Sequence, residues 1–150
     1  MSTNTTATLN DLIETLKDGQ EGFRSAAEGV KSPDLRAQFT EYSNQRAQFA
    51  GELQQLVRTL GDSSPENSPS VASTIHRGWI NIKAAVTGRD DHSILEECER
   101  GEDVAVDAFR TALEANLPAN VLSVVQRQAD AVKGVHDRVK ALRDATAATV

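Results

Sequence analysis

Apolar residues recur at spacings of three and four along most of the chain, and this rhythm predicts four long helices. We expect them over residues 8–30, 33–60 and about 90–117, and from Pro118 to about residue 146. Their apolar stripes are Leu9, Ile13, Leu16, Phe23, Ala27 and Val30; Leu35, Phe39, Tyr42, Phe49, Leu53, Leu56 and Leu60; Ile94, Leu95, Cys98, Ala105, Phe109, Ala112 and Leu113; and Val121, Val125, Val132, Val135, Val139 and Leu142.

Start and stop signals place these helices in two antiparallel hairpins. Ser32-Pro33-Asp34 combines an N-cap serine, a proline at the first helical position and an acid in the first turn, so a helix begins there. Gly61 ends that helix, because glycine readily adopts a positive φ. Each hairpin is joined by only a few residues, which requires its two helices to run in opposite directions.

The link between the hairpins is about 30 residues long. Residues 61–70, GDSSPENSPS, have a loop composition, and Val71, Ile75, Trp79, Ile82 and Val86 then mark a short amphipathic helix that ends at Gly88. A link of this length can cross the bundle and place the third helix parallel to the second, as in ferritin-like folds. We expect the Trp79 helix to cover the core, with a dimer contact as the alternative.

The apolar stripes of the first three long helices are interrupted near their middle by polar residues. The third stripe calls for an apolar residue at 102, and the chain has Glu102 there, with Glu99 one turn earlier. The first two stripes are interrupted at Gln20 and at Arg46. Counting turns puts these positions at nearly one height, together with Lys133 and His136 of the fourth helix. Because a buried charge is costly unless it is paired, we expect an internal layer in which Arg46 and Lys133 neutralise the acids.

The composition and charge of the chain argue against several classes of function. A chain of 150 residues is most simply one domain, predicted here over residues 8–146 after a disordered tail at 1–7. The net charge of −6 is opposite to the basic face that nucleic acids require, and no apolar run approaches a membrane span. Cys98 has no cysteine to pair with, and we expect a cytoplasmic protein.

The chain resembles a bacterial family of ferritin-like four-helix-bundle proteins without an assigned function. The resemblance covers residues 9–144 and is carried by six segments: Leu9-Asn10-Asp11-Leu12-Ile13, Asp18-Gly19-Gln20-Glu21-Gly22-Phe23, Arg46-Ala47-Gln48-Phe49-Ala50, His76-Arg77-Gly78-Trp79, Leu95-Glu96-Glu97-Cys98-Glu99-Arg100-Gly101-Glu102-Asp103 and His136-Asp137. It implies an all-α, ferritin-like bundle of two antiparallel hairpins, with a short extra helix in the crossover.

The wider ferritin-like class holds two metals with one Glu from each of two helices and Glu-x-x-His from each of the others. This chain departs from that pattern, since its second helix carries Gln45-Arg46-Ala47-Gln48 and its fourth carries Lys133-Gly134-Val135-His136. The remaining candidate ligands are Glu21, Glu99, Glu102 and His136. These side chains suit at most one divalent ion, Zn, Mn or Fe.

Two function hypotheses follow. The first is a non-enzymatic structural or interaction protein that binds no cofactor, self-associates through the Trp79 helix and uses its polar layer to set helix register. The second is a protein that binds a single metal at the reduced carboxylate and histidine site. An enzyme is the less favoured reading, because the sequence has no glycine-rich phosphate loop, nucleophile elbow or CxxC motif.

Overall fold

The computed structural model describes residues 2–61, 79, 82–88 and 90–148, and every element of regular secondary structure in these ranges is an α-helix. The helices are α1 (Ser2–Gly29), α2 (Pro33–Thr59), α3 (Ile82–Gly88), α4 (Asp91–Glu114) and α5 (Ala119–Ala148). In these ranges no helix is long and apolar enough to cross a membrane. The predicted loop at 62–70, the Val71 and Ile75 positions of the short helix, and His76 lie outside the described residues.

The α1–α2 hairpin follows the predicted signals closely. The Ser32 hydroxyl accepts a hydrogen bond from the amide of Leu35 at 3.3 Å, and Pro33 is the first residue of α2. At the far end of α2, Gly61 has a φ of 99°, a conformation that costs glycine little. The predicted limits of this helix are therefore correct to within one residue.

The outer ends of α1 and α5 extend beyond the predicted limits. Residues 2–7 are helical rather than a disordered tail, so the predicted start at Thr8 is six residues late. Thr5 lies one turn before Leu9 and is buried, which prolongs the packed face of α1. At the other terminus α5 continues to Ala148, since the Thr146 hydroxyl lies 2.8 Å from Nδ1 of His92 and links the last turns to α4.

The start of α4 meets the α1–α2 turn. The Asp91 carboxylate accepts hydrogen bonds from the amides of Lys31 at 2.8 Å and Ser32 at 3.1 Å. Helices α2 and α4 therefore begin at the same end of the molecule and run parallel, which confirms the predicted direction of the third long helix. Helix α5 returns antiparallel to α4, and its Gln128 amide donates to the carbonyl of Phe49 on α2 at 3.2 Å.

The core is divided into two apolar clusters, one toward each end of the long helices. The cluster near the start of α1 contains Leu9, Leu12, Ile13, Leu16, Phe49, Ala50, Leu53, Val57, Ala105, Phe109, Ala112, Val121, Val125 and Val132. The cluster near the α1–α2 turn contains Phe23, Ala26, Ala27, Val30, Leu35, Phe39, Trp79, Ile82, Ile94, Leu95, Cys98, Val135 and Val139. Between them in sequence position lie buried polar residues: Asp18, Ser43, Arg46 and Glu102.

Trp79 packs inside the protein, where α1 and α4 carry glycine. Its side chain is 3% exposed, and its ring lies 5.0 Å from that of Phe23, edge to face. A Cβ atom built on Gly22 or on Gly101 would come within 2.2 Å of the indole. The two glycines therefore form a slot for the indole. Trp79 belongs to the core as predicted, but the prediction that it lies on the short helix is wrong, because α3 begins only at Ile82.

This slot yields a stability prediction. We expect Gly101→Ala to lower the free energy of unfolding by about 1–3 kcal/mol, because the added methyl group must displace the Trp79 ring in a packed core. Gly51→Ala is the matched control: Gly51 lies within α2, its Cβ would meet nothing within 4 Å, and alanine should stabilise the helix by about 0.5–1 kcal/mol. Urea denaturation followed by circular dichroism measures both, and equal effects of the two variants would contradict the slot.

Candidate functional site

The centre of the protein holds one ion pair between two fully buried side chains. Arg46 is 1% exposed and Glu102 is 0% exposed. Nη1 of Arg46 donates to Oε1 of Glu102 at 2.5 Å, and Nη2 donates to Oε2 at 2.6 Å. This two-pronged geometry is the strongest form of a charge-assisted hydrogen bond, and it joins α2 directly to α4.

The surroundings of the guanidinium explain how it fits into an apolar interior. Its carbon lies 5.3 Å from the centre of the Phe23 ring, within the range of a cation–π contact. A Cβ atom on Gly19 would lie 3.3 Å from Nη1, so the glycine leaves room for the arginine beside α1. The Nε atom of Arg46 donates to the side-chain oxygen of Gln45 at 3.3 Å. Arginine is thus enclosed by α1, α2 and α4 together.

The expected polar layer forms among α1, α2 and α4, without the predicted members from the fourth long helix. The Ser43 hydroxyl donates to the carbonyl of Gln20 at 2.9 Å, which places the interruptions of the first two stripes side by side. The Arg46–Glu102 pair aligns the interruptions of the second and third. Lys133 does not join the layer as predicted, because it is exposed and binds Asp137 on its own helix at 2.9 Å. The layer is therefore neutralised by one internal cation rather than two.

Cys98 lies one turn before Glu102 and is completely buried. Burial raises the pKa of its thiol well above the ordinary value, and the neighbouring Glu102 carboxylate raises it further. A reactive cysteine requires the opposite shift, toward the thiolate. Cys98 is a core residue, in agreement with the sequence-based interpretation.

Each of the four predicted metal ligands contacts a different partner, so the four side chains are not brought together. Glu102 binds Arg46, as described above, and Glu99 binds Arg143 on α5. Glu21 is held by Arg24 one turn away at 2.7 Å.

His136 is bracketed by two aspartates. Its Nε2 atom is 2.6 Å from Asp103 on α4, and its Nδ1 atom is 3.1 Å from the adjacent Asp137. The nearby Lys133 and His136 hold the pKa of the Asp137 carboxyl below its ordinary value, through hydrogen bonds to the carboxylate. The histidine thus links α4 to α5 near the surface and does not reach into the Arg46–Glu102 centre.

These donors do not fit a metal ion in the observed arrangement. In the ranges that the structure covers, no three side chains of His, Cys, Asp or Glu are grouped so that they could hold one. The carboxylate best placed for a bundle site, Glu102, already has both oxygens occupied by a guanidinium. Binding an ion would require that pair to open.

Sequence reasoning missed two contributors to this region. Asp18 on α1 is buried at 1% exposure, on a face that also carries the glycines at 19, 22 and 29. These glycines could have indicated close packing at this face of α1, since glycine on a helix face indicates a close neighbour. The sequence contains no comparable indication for Arg143, because its partner Glu99 lies 44 positions away on another helix.

Residues 4–115 match the family model described as "Domain of unknown function (DUF2383)". The chain belongs to this family. The match spans α1 to α4 and includes both members of the buried ion pair, whereas α5, with His136 and Arg143, lies beyond it. No match is found among curated proteins. The DUF2383 model thus identifies the family of the chain and leaves its activity to be inferred from the site.

The ion pair yields a double-mutant prediction. Arg46→Met or Glu102→Leu alone should each lower the free energy of unfolding by about 3–5 kcal/mol, because each leaves its partner buried without an opposite charge. The combined variant Arg46→Met with Glu102→Leu should lose much less than the sum, since no isolated charge remains. Urea titrations of both single variants and the double variant measure this coupling.

The control for that cycle is Arg110→Ala. Arg110 forms an exposed pair with Asp107 at 2.8 Å, for which we expect a loss of at most about 1 kcal/mol. Additive losses at Arg46 and Glu102 would contradict a buried, directly coupled pair.

Cys98 yields a pH prediction. Because the folded protein holds the thiol proton more tightly than the unfolded chain does, this contribution to stability is complete below the ordinary pKa of 9.0 and is lost as the pH rises above it. One such group changes the free energy of unfolding by at most about 1.4 kcal/mol per pH unit. The free energy of unfolding, measured from about pH 8 to well above the ordinary thiol pKa of 9.0, should fall more steeply for the native protein than for Cys98→Ala. Parallel curves would contradict the raised pKa.

Proposed function

We propose that this DUF2383 protein is a non-enzymatic structural or interaction protein with a ferritin-like four-helix-bundle fold. The observation that carries the proposal is the buried Arg46–Glu102 pair, which occupies the middle of the bundle. Both charges of this pair are satisfied within the protein, so neither the Arg46 guanidinium nor the Glu102 carboxylate is open to a substrate or an ion. The effect of the pair is to fix the register of α2 against α4.

The ferritin-like assignment is supported by helix order and direction. Two antiparallel hairpins are joined so that α2 and α4 run parallel, and a short helix, α3, lies in the crossover. Up-down-up-down bundles have a short link at that point and antiparallel neighbours instead. The polar layer at mid-height corresponds to where bundles of this class carry their carboxylates.

Arg46 offers a physical reason for a bundle without a resident metal. A carboxylate such as Glu102, buried in the middle of a bundle, requires a positive charge, which a metal ion or a guanidinium can supply. If an ion replaced the guanidinium, Arg46 would remain buried without a partner, at a cost of several kcal/mol. The single-metal alternative, built on Glu21, Glu99, Glu102 and His136, also requires the other three pairs to open.

Self-association through the Trp79 segment remains a prediction. Because the indole is buried within one chain, such a contact would involve the outer side of α3, where Lys83 and Thr87 are exposed. Sedimentation equilibrium of the native protein and of Lys83→Glu tests it, and a native monomer over the accessible concentration range would contradict it.

A metal titration tests the proposal. Protein freed of metal and carrying no affinity tag is titrated with Zn²⁺, Mn²⁺ and Fe²⁺, and its melting temperature is recorded. We expect no rise at metal concentrations well above micromolar, because a ligand of the folded state raises the melting temperature only if it binds.

One ion per chain, with a rise in melting temperature that Glu102→Gln and His136→Gln both abolish, would favour the single-metal alternative. Glu114→Gln is the matched control, because Glu114 is the last residue of α4 and lies outside the candidate set. Two ions per chain with consumption of oxygen would overturn both functions.

A further inference from the structure

An open groove of about 540 Å³ runs along the outside of the α1–α2 hairpin. Four residues from each helix line it, and in both helices they follow the same i, i+4, i+7, i+8 spacing. They are Gln20, Arg24, Ala27 and Glu28 of α1, and Arg36, Thr40, Ser43 and Asn44 of α2. Its volume is within the roughly 300–1,000 Å³ of ordinary small-molecule sites.

The floor and rim of the groove differ in chemistry. Ala27 and Ser43 are buried and form the floor, and the Ser43 hydroxyl is held by the carbonyl of Gln20. The exposed rim carries Arg24, Glu28, Arg36, Thr40 and Asn44. A ligand in this groove would therefore meet charged groups, an amide and a hydroxyl on the rim, beside the apolar parts of the lining side chains.

The pairing of the charged side chains on the rim determines which kind of ligand the groove can bind. Arg24 is compensated by Glu21 on its own helix. Among the described residues, neither Glu28 nor Arg36 makes an ion pair, and Arg36 makes one hydrogen bond, to the carbonyl of Val30 at 3.2 Å. Because α1 and α2 are antiparallel, Glu28 and Arg36 lie opposite each other near the hairpin turn, yet they do not close on each other.

We propose that this groove binds a small zwitterionic ligand of the α-amino-acid class. Arg36 would bind the ligand carboxylate, since a guanidinium matches the two oxygens of that group, and Glu28 would bind the ammonium. Because Arg24 is already paired with Glu21, the groove offers one positive and one negative charge. It therefore has no net attraction for a simple anion or cation. The Thr40 hydroxyl and the Gln20 and Asn44 amides favour a polar, uncharged side chain.

The test uses the full-length protein and L-glutamine as the probe, followed by NMR of the backbone amides. We expect saturable shifts in the millimolar range at Ala27, Thr40 and Asn44, because exposed charge pairs contribute little each. N-acetyl-L-glutamine lacks the ammonium and L-glutamine amide lacks the carboxylate, so each should bind about two- to fivefold more weakly. L-leucine should bind more weakly than L-glutamine.

Matched variants locate the site. Glu28→Gln and Arg36→Gln should each weaken L-glutamine binding about two- to fivefold, since each removes one of the two exposed charge contacts. Arg110→Gln, at an exposed pair on α4, should leave binding unchanged. Both groove residues are exposed, and unchanged melting temperatures would show that the variants remain folded.

The proposal is overturned if L-glutamine produces no saturable shifts, or if both single-charge analogues bind as well as the zwitterion. It is equally overturned if Glu28→Gln and Arg36→Gln bind like the native protein. These outcomes are independent of the metal titration, which concerns the interior of the bundle.

Discussion

The interaction on which the arrangement of the long helices most depends is the bidentate bond between Arg46 and Glu102. A carboxylate in an apolar interior would be too costly without an opposite charge, and so would a guanidinium. Each therefore requires the other at one particular height. A shift of one turn, about 5.4 Å, between α2 and α4 would separate them and leave both charges buried. Apolar residues pack acceptably in several registers, whereas this pair accepts one.

Glycines at close contacts complete that constraint. Gly19 leaves room for the guanidinium, and Gly22 and Gly101 leave room for the Trp79 indole. Phe23 contacts both groups, lying 5.3 Å from the Arg46 guanidinium carbon and 5.0 Å from the Trp79 ring. The ion pair and the crossover segment are thus packed against the same aromatic ring. A change at any of these positions should be felt at the others through Phe23.

The Arg46–Glu102 pair is also the basis of the function that we propose. In a metal-binding bundle the central carboxylates are paired with ions that can leave or react, whereas Arg46 is covalently part of the chain. This is why we propose a structural or interaction role, with any ligand recognition on the outer surface. The α1–α2 groove fits this division, since Glu28 and Arg36 are exposed while Arg46 and Glu102 are enclosed.

The sequence alone determined the helices and their order, because apolar spacing, the Ser32-Pro33-Asp34 start and Gly61 act through local geometry. It also indicated that Arg46 and Glu102 would meet, since both interrupt apolar stripes and a buried charge needs a partner. Tertiary structure decided the partners of the remaining charges: Glu99 with Arg143, and His136 with Asp103. Those choices depend on how far α5 is rotated and shifted against α4, which apolar spacing does not specify. For the same reason the four candidate metal ligands, plausible as a set in sequence, are distributed among separate pairs in space.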